Sequence, residues 1–521
     1  MRPSYWPVKR KTNEMTTQFP PTIQQLNFLS ALLNTSSNLA LRARAGCGKT
    51  TTILLGVNAY AKAKPNAEII VCAYNKAIAD EIKEKLIEAG HNDWRKVSAT
   101  TIHSLGFGLI RFVFKSKIDD NKVRDLIENK AMANDASVDA QLYTQYGAQI
   151  AMLVRYGKQA GVGFFNDAPI GDVGTWHQLD DHFDVNGLEE TDQMDAIVEA
   201  AIMIYRESLA QTGIVDFDDM ILFPLIKNLR VKFGKDLIFL DEAQDLSRAR
   251  QALAKKFIKP GGRMVIVGDD RQAIYGFSGA DAEALDNLTS SLDAEVMPLS
   301  ITWRCPKTVV ALAQRYVGDI EAPEEAPEGV VNYIDEFPDD LRPGDAILCR
   351  NTGPLISAAY KLIRKGTACK VEGRAIGEGL LKLVKRWKIK TIDALINRVK
   401  DYKEREIQKA IAKGSEAKVE EVTDKCDTIL EICTACVLAD KKSVSDVEVF
   451  INNLFADGAT NCVVLATYHR SKGREWRRVF LFEHYKRCPS KAAKKSWQLR
   501  QEDNLAYVAI TRSKFELNFV G

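Results

Sequence analysis

LALRARAGCGKTTTILLGVNAYAKA, residues 39–63, joins an apolar stretch, a glycine-punctuated loop and a helical pattern in one run. A strand that turns on glycines into a helix offers an anion a set of backbone N–H groups and a helix N-terminus. RAGCGKTTT (44–52) therefore reads as a phosphate loop, with Gly46, Cys47, Gly48, Lys49, Thr50 and Thr51 around the phosphates. Lys49 is expected to reach the β- and γ-phosphates and the Thr50 hydroxyl to ligate magnesium, so ATP and Mg2+ are the expected cofactors. The match is to the short GxGKT core, because Ala43 or Arg44 stands where the longer pattern has its first glycine. Cys47, close to a helix N-terminus, is expected to be a reactive thiolate that bound nucleotide shields from bulky reagents.

The strand-to-polar-motif pattern recurs in EIIVCAY (68–74), LIFLDE (237–242), MVIVGDD (264–270), AILCR (346–350), CVVLAT (462–467) and RVFLFE (478–483). Helical patterns lie between these runs, which implies α/β architecture with parallel sheets. Residues 113–212 and 373–457 interrupt the rhythm and read as mainly helical, and EAPEEAPEG (321–329) forms a loop rich in Pro and acid. The expected layout is an arm at 1–19 and a first core at 20–112 and 213–298 with an insertion at 113–212. A second core follows at 299–372 and 458–521, with a short insertion at 373–457.

With 521 residues, 46% hydrophobic and 27% charged, the chain has the composition of a multidomain globular protein. It contains no apolar run long enough for a membrane span. A net charge of +3 identifies no partner, and the basic stretches KLVKRWKIK (382–390) and KRCPSKAAKK (486–495) are the local candidates for a nucleic-acid surface. Ten scattered cysteines suit a reducing cytosol. CDTILEICTACVLA (426–439) holds Cys426, Cys433 and Cys436 in a helical pattern, which reads as buried small apolar residues, with a metal or iron–sulfur site as the alternative.

Two further motifs define the chemistry. In LIFLDEAQD (237–245) an apolar strand ends at Asp241, placed for the magnesium, with Glu242 next to orient or deprotonate water. In VGDDRQAIYGFSGAD (267–281), Gln272 can sense the γ-phosphate, and Tyr275 and Phe277 follow within five residues as surfaces on which unpaired bases can stack.

The chain resembles the UvrD/Rep-type superfamily 1 DNA helicases along nearly its whole length. PTIQQLNFL (21–29) is similar to their adenine-reading motif, with Gln25 or else Gln24 as the reader. CAYNKAIADEI (72–82), ATTIHSLGFGLI (99–110), GIVDFDDMILF (213–223), LSITWRCP (299–306), ATYHRSKGREWRRVFLF (466–482) and EDNLAYVAITRSK (502–514) follow in the family order. The resemblance implies two RecA-like P-loop cores and a catalytic set of Lys49, Glu242, Gln272, Arg304 and Arg512. It also implies that Trp303 stacks on adenine, that Glu475 approaches the sugar, and that Arg304 and Arg512 reach the γ-phosphate from the second core. A single-stranded DNA path along Tyr74, Asn75, Thr101, His103, Tyr275, Phe277, Arg350 and His469 follows from the same resemblance.

The expected partners are single-stranded and tailed duplex DNA, with repair, replication or recombination proteins and no membrane. The expected location is cytoplasmic and nucleoid-associated in a bacterial or phage-infected cell. Ser278 stands where the family usually has Arg, Arg474 replaces an apolar residue and Trp476 a Phe. A fused nuclease domain is not expected after Arg512. Three activities follow as alternatives: a helicase, a translocase that displaces proteins, and an inactive nucleotide-dependent binding module. Polarity, 3′→5′, comes from the resemblance alone.

Overall fold

Apolar runs of five or six residues cannot bury both faces alone, so they collect into parallel sheets covered by helices. The computed structural model describes residues 20–133, 139–183, 193–275, 283–412, 416–455 and 461–521. The chain divides into two units, the first ending at Ile301 and the second running from Thr302 to Gly521.

The first unit contains β1 (Leu39–Ala43), β2 (Ile69–Ala73), β3 (Val97–Thr101), β4 (Lys117–Ile118), β5 (Ile214–Val215), β6 (Lys235–Leu240), β7 (Ile258–Gly268) and β8 (Glu295–Leu299). Six of them form one sheet in the order β3-β2-β6-β7-β1-β8, and β4 pairs with β5 separately. Every pairing is parallel. Leu39, Leu41, Ile53, Val71, Phe239 and Val265 form the core on one side of the sheet, and Ile70, Ile238, Leu240 and Ile266 on the other.

Helices Lys122–Ala131, Ala140–Ala160, Val173–Phe183 and Met194–Ala210 fill the first insertion. A buried ion cluster ties it to the core. Lys158 Nζ lies 2.5 Å from Asp216 and 2.7 Å from Asp219, and Lys122 Nζ lies 2.7 Å from Asp219. Asp216 and Asp219 also form the capping box of helix Phe217–Ile226, so one pair of carboxylates starts that helix and anchors two others. Gly106, in helix Ile102–Phe114, packs so closely on this helix that a Cβ would collide with the Met220 carbonyl oxygen.

The second unit contains β9 (Val330–Ile334), β10 (Ala346–Cys349), β11 (Cys369–Val371), β12 (Val463–Thr467), β13 (Trp476–Phe482) and β14 (Ser513–Val520). They form an all-parallel sheet in the order β11-β12-β10-β13-β14-β9. Its insertion holds helices Arg374–Arg386, Ile392–Ala412, Glu416–Leu438 and Val444–Leu454. Cys426, Ile429, Ile432, Cys433 and Cys436 on helix Glu416–Leu438 share one core with Ile347, Val463, Leu465 and Phe480. The three thiols are thus packing residues, and burial pushes Cys426 and Cys436 up to about 11 and Cys433 to about 12. Among the described residues no helix is long and apolar enough to cross a membrane.

Candidate functional site

β1 delivers the chain into a loop in which Gly46 and Gly48 have φ of 75° and 79°, backbone conformations that favour glycine. Gly48 caps helix Lys49–Ala63 without a side-chain acceptor. Lys49 and Thr50 are half-buried. The Lys49 Nζ lies 2.8 Å from Glu242 Oε1. Burial alone would lower the Lys49 pKa, but Glu242, Asp241 and Asp269 outweigh it and raise it.

Asp241 is buried at the end of β6, where burial and then the Glu242 charge push its pKa up to about 7 against the pull of Lys49. A second cation at this spot would relieve that burden, and the Asp241 carboxylate and Thr50 hydroxyl are the hard oxygen donors that Mg2+ takes. The donor set fits a magnesium nucleotide.

Glu242 sits at φ 50°, ψ 44°, in the left-handed region. Its second oxygen accepts from Gln244 Nε2 at 2.5 Å, and Gln244 Oε1 accepts from the Asp269 N–H at 3.0 Å. Asp269, fully buried at the end of β7, accepts from Gln272 Nε2 at 2.7 Å. Burial raises its pKa, opposed by Arg44 and then Lys49. Lys49, Glu242 and Gln272 therefore belong to one hydrogen-bonded system, in which Gln244 and Asp269 are the members that motif reading passed over. The signal for Gln244 was its place inside the acidic motif.

Gln25 starts helix Ile23–Asn34 through a capping box with Thr22, and its Nε2 donates to Thr52 Oγ1 at 2.8 Å beside the phosphate loop. The Gln24 amide instead exchanges two hydrogen bonds with Ser300, at 2.8 and 2.9 Å. Cys47 requires a correction. The residue is 3% exposed and packs into the core of the first sheet, and its N–H donates to the Arg44 carbonyl at 3.2 Å, so the thiol is shielded. Burial closes the Cys47 thiol to the bulky reagent that was expected to reach it.

The strand path candidates fall into two groups. Tyr74, just after β2, and Tyr275, three residues beyond Gln272, are half-buried, with parallel rings at 6.2 Å. His103 meets Phe217 edge-on at 6.2 Å, and burial, then Arg250, push its pKa down to about 4. The Asn75 and Thr101 oxygens cap helices, accepting from Ile78 N–H at 2.9 Å and Ser104 N–H at 3.2 Å. Phe277 and Ser278 lie outside the described residues.

In the second unit, Arg304 Nε pairs with Glu475 at 2.7 Å, and Lys514 holds the other Glu475 oxygen at 3.0 Å. Burial would raise the Glu475 pKa, but Arg304 and Lys514 keep it below the ordinary value. Arg512 is 1% exposed; its nitrogens donate to the Val508 and Arg474 carbonyls and to Thr511 Oγ1 at 2.7–3.1 Å. Among the described residues no carboxylate lies within ion-pair distance of it. Arg474 pairs with Glu372 while its carbonyl holds Arg512, and the N–H of Trp476, which opens β13, donates to the Arg512 carbonyl. Trp303, next to Arg304, is half-buried.

Arg350 forms a bidentate pair with Glu502 at 2.7–3.1 Å, so its guanidinium is already committed. His469 is held neutral by burial, then by Arg350, with a pKa near 3.

Two parallel sheets, one carrying a phosphate loop with its acidic partner motif and the other a pair of arginines, define a phosphate-loop nucleotide-binding protein with two RecA-like domains. Residues 25–293 match the UvrD/REP helicase N-terminal domain and residues 378–520 the UvrD-like helicase C-terminal domain. The chain belongs to the UvrD/REP helicase family. It is similar to F-box DNA helicase protein 1 of Schizosaccharomyces pombe, 23% identical across 95% of this chain and 57% of the relative. A probable DNA helicase II homolog of Mycoplasma pneumoniae is 24% identical across 56% of this chain and 41% of its own length. ATP-dependent DNA helicase UvrD1 of Mycobacterium tuberculosis is 22% identical across 55% and 38%. The chain spans about half the length of these relatives.

Proposed function

We propose that this chain is an ATP-driven DNA helicase that steps 3′→5′ along single-stranded DNA and separates the strands ahead of it. The observation that carries the reading is the continuity between Gln272, in the buried polar system around Lys49 and Glu242, and Tyr275, stacked in parallel with Tyr74 at 6.2 Å. A group that senses phosphate and a platform that stacks bases share one short segment, so a change at one is felt at the other.

The chemistry follows from the resting contacts. Phosphate oxygens compete with Glu242 for the Lys49 ammonium, and when they win, Glu242 loses its ion-pair partner and can accept a proton from water. Mg2+ held by Thr50 and Asp241 supplies neutralisation of charge on the phosphates. Arg512, a buried cation with no carboxylate at ion-pair distance among the described residues, is suited to receive an anion, and Arg304 can exchange Glu475 for phosphate. Gln25, or Gln24, and Trp303 take the adenine, and Glu475 the sugar. Lys49, Glu242 and Gln272 belong to one unit and Arg304 and Arg512 to the other, so turnover draws on residues of both.

Tyr74, Tyr275 and Phe277 stack bases, and the neutral His103 and His469 line the path without adding charge. Asn75, Thr101 and Arg350 act there partly through the contacts they already hold. A second reading, a translocase that strips proteins from single strands, rests on the second insertion sharing a core with its sheet and forming no separate body. Repair, replication and recombination proteins are all suitable partners.

The test is unwinding of 3′-tailed against 5′-tailed duplexes, with a protein roadblock on the same templates. Strand separation confined to the 3′ tail is expected. Roadblock removal without strand separation favours the second reading, and ATP turnover with neither contradicts both.

A further inference from the structure

The phosphate loop opens on a charged residue whose side chain turns to the end of a neighbouring strand. Arg44 follows the last residue of β1, and its side chain is only 6% exposed. Its N–H donates to the Leu299 carbonyl at the end of β8 at 2.8 Å. Its Nη1 reaches the other way, to Asp269 Oδ1 at 3.0 Å and Asp270 Oδ1 at 2.8 Å at the end of β7. Since β1 lies between β7 and β8 in the sheet, Arg44 ties three adjacent strand ends together.

We propose that Arg44 is a positioning residue that locks Asp269, and through it the amide of Gln272, to the phosphate loop. Asp269 Oδ1 takes Arg44 and the Arg271 N–H, while Oδ2 takes Gln272 Nε2. A carboxylate paired with a guanidinium only accepts hydrogen bonds, so it turns the NH2 end of Gln272 towards itself and the carbonyl end towards the other side. From Asp269 a second branch runs through its N–H to Gln244, Glu242 and Lys49. Both ends of this chain of contacts land on the phosphate loop, at residues 44 and 49. A shift of the loop on phosphate binding therefore moves the sensor and the base together, and carries to Tyr275 beyond Gln272.

The inference rests on ATP hydrolysis at this site, and its test separates the two. Arg44→Met, Arg44→Lys, Asp269→Asn and Arg44→Met/Asp269→Asn are compared with wild type for melting temperature, affinity for a fluorescent ATP analogue and DNA-stimulated turnover. Loss of a supporting contact of this kind lowers activity by about 10–100-fold, and Arg44→Met is expected to fall in that range while nucleotide affinity changes much less. Arg44→Lys regains part of the rate, because one ammonium can hold Asp269. The double variant is expected to be no slower than the slower single, since both changes cut the same connection. If Arg44→Met is too unstable to assay, the double variant removes both buried charges and is expected to recover melting temperature but stay slow.

Wild-type turnover in Arg44→Met overturns the inference. So do losses that multiply in the double variant, or recovery of turnover in step with melting temperature. A wild type without turnover overturns the functional reading and this inference with it.

Discussion

Glu242 rests with both carboxylate oxygens engaged, by Lys49 and Gln244, on a left-handed backbone that costs a residue other than glycine about 1–3 kcal/mol. That combination belongs to a group held ready and released on demand. Glu242→Gln is expected to bind ATP and hold it unhydrolysed, whereas Lys49→Ala is expected to lose affinity; equilibrium binding and turnover on both variants check this. Tyr74→Ala and Tyr275→Ala should each cost about 1–3 kcal/mol of single-strand affinity at unchanged basal turnover. A fall in melting temperature together with basal turnover would assign the rings to packing instead.

The histidines give a pH signature. His103 and His469, with pKa values near 4 and 3 in the fold, take up protons more readily when unfolded, where the ordinary value is about 6.5. The unfolded state thus binds more protons below that value, and stability should decline as pH drops from about 6.5 towards 4. His469→Asn is expected to shrink the decline in melting temperature over that window. Lys49, Asp241, Glu242 and Gln272 were legible because their motifs adjoin strand ends. The direction of the Cys47 side chain was not, because glycine spacing fixes the loop's backbone and leaves the side to which a residue points to the packing.

Strands flanked on both sides, β14 excepted, were legible as apolar runs, and strands at a sheet edge were not. β3 and β8 edge the first sheet, and β9 and β11 the second. VSATT in β3 and EVMPL in β8 keep exposed or half-exposed positions, so neither run is apolar enough to stand out. β14 lies next to an edge and mixes polar residues into SKFELNFV. The buried cluster of Lys122, Lys158, Asp216 and Asp219 was also hidden, because its members lie up to 97 residues apart. Lys158→Met would leave two buried carboxylates short of a cation and should cost about 3–5 kcal/mol of stability. Urea denaturation measures this, and a loss below about 1 kcal/mol would show that the insertion is held by apolar packing alone.

Across the whole molecule, the proposed function places phosphate binding on one unit and charge stabilisation on the other. Arginines that stabilise charge on a transferring phosphate contribute about 10³–10⁵-fold to hydrolysis, so Arg304→Ala and Arg512→Ala should slow turnover far more than they weaken ATP binding. Near-normal turnover in the double variant would remove the second unit from the reaction. The α/β class was legible in the repeating strand-to-motif rhythm. The fusion of the second insertion with its sheet was not, because its apolar stripe does not name its partner. The most direct test is steady-state ATP hydrolysis by wild type and Glu242→Gln, each with and without single-stranded DNA. Wild-type turnover is expected to rise with DNA, and Glu242→Gln turnover to stay at background in both conditions with ATP still bound. Wild-type turnover indifferent to DNA, or equal turnover in the two proteins, would contradict the proposed function.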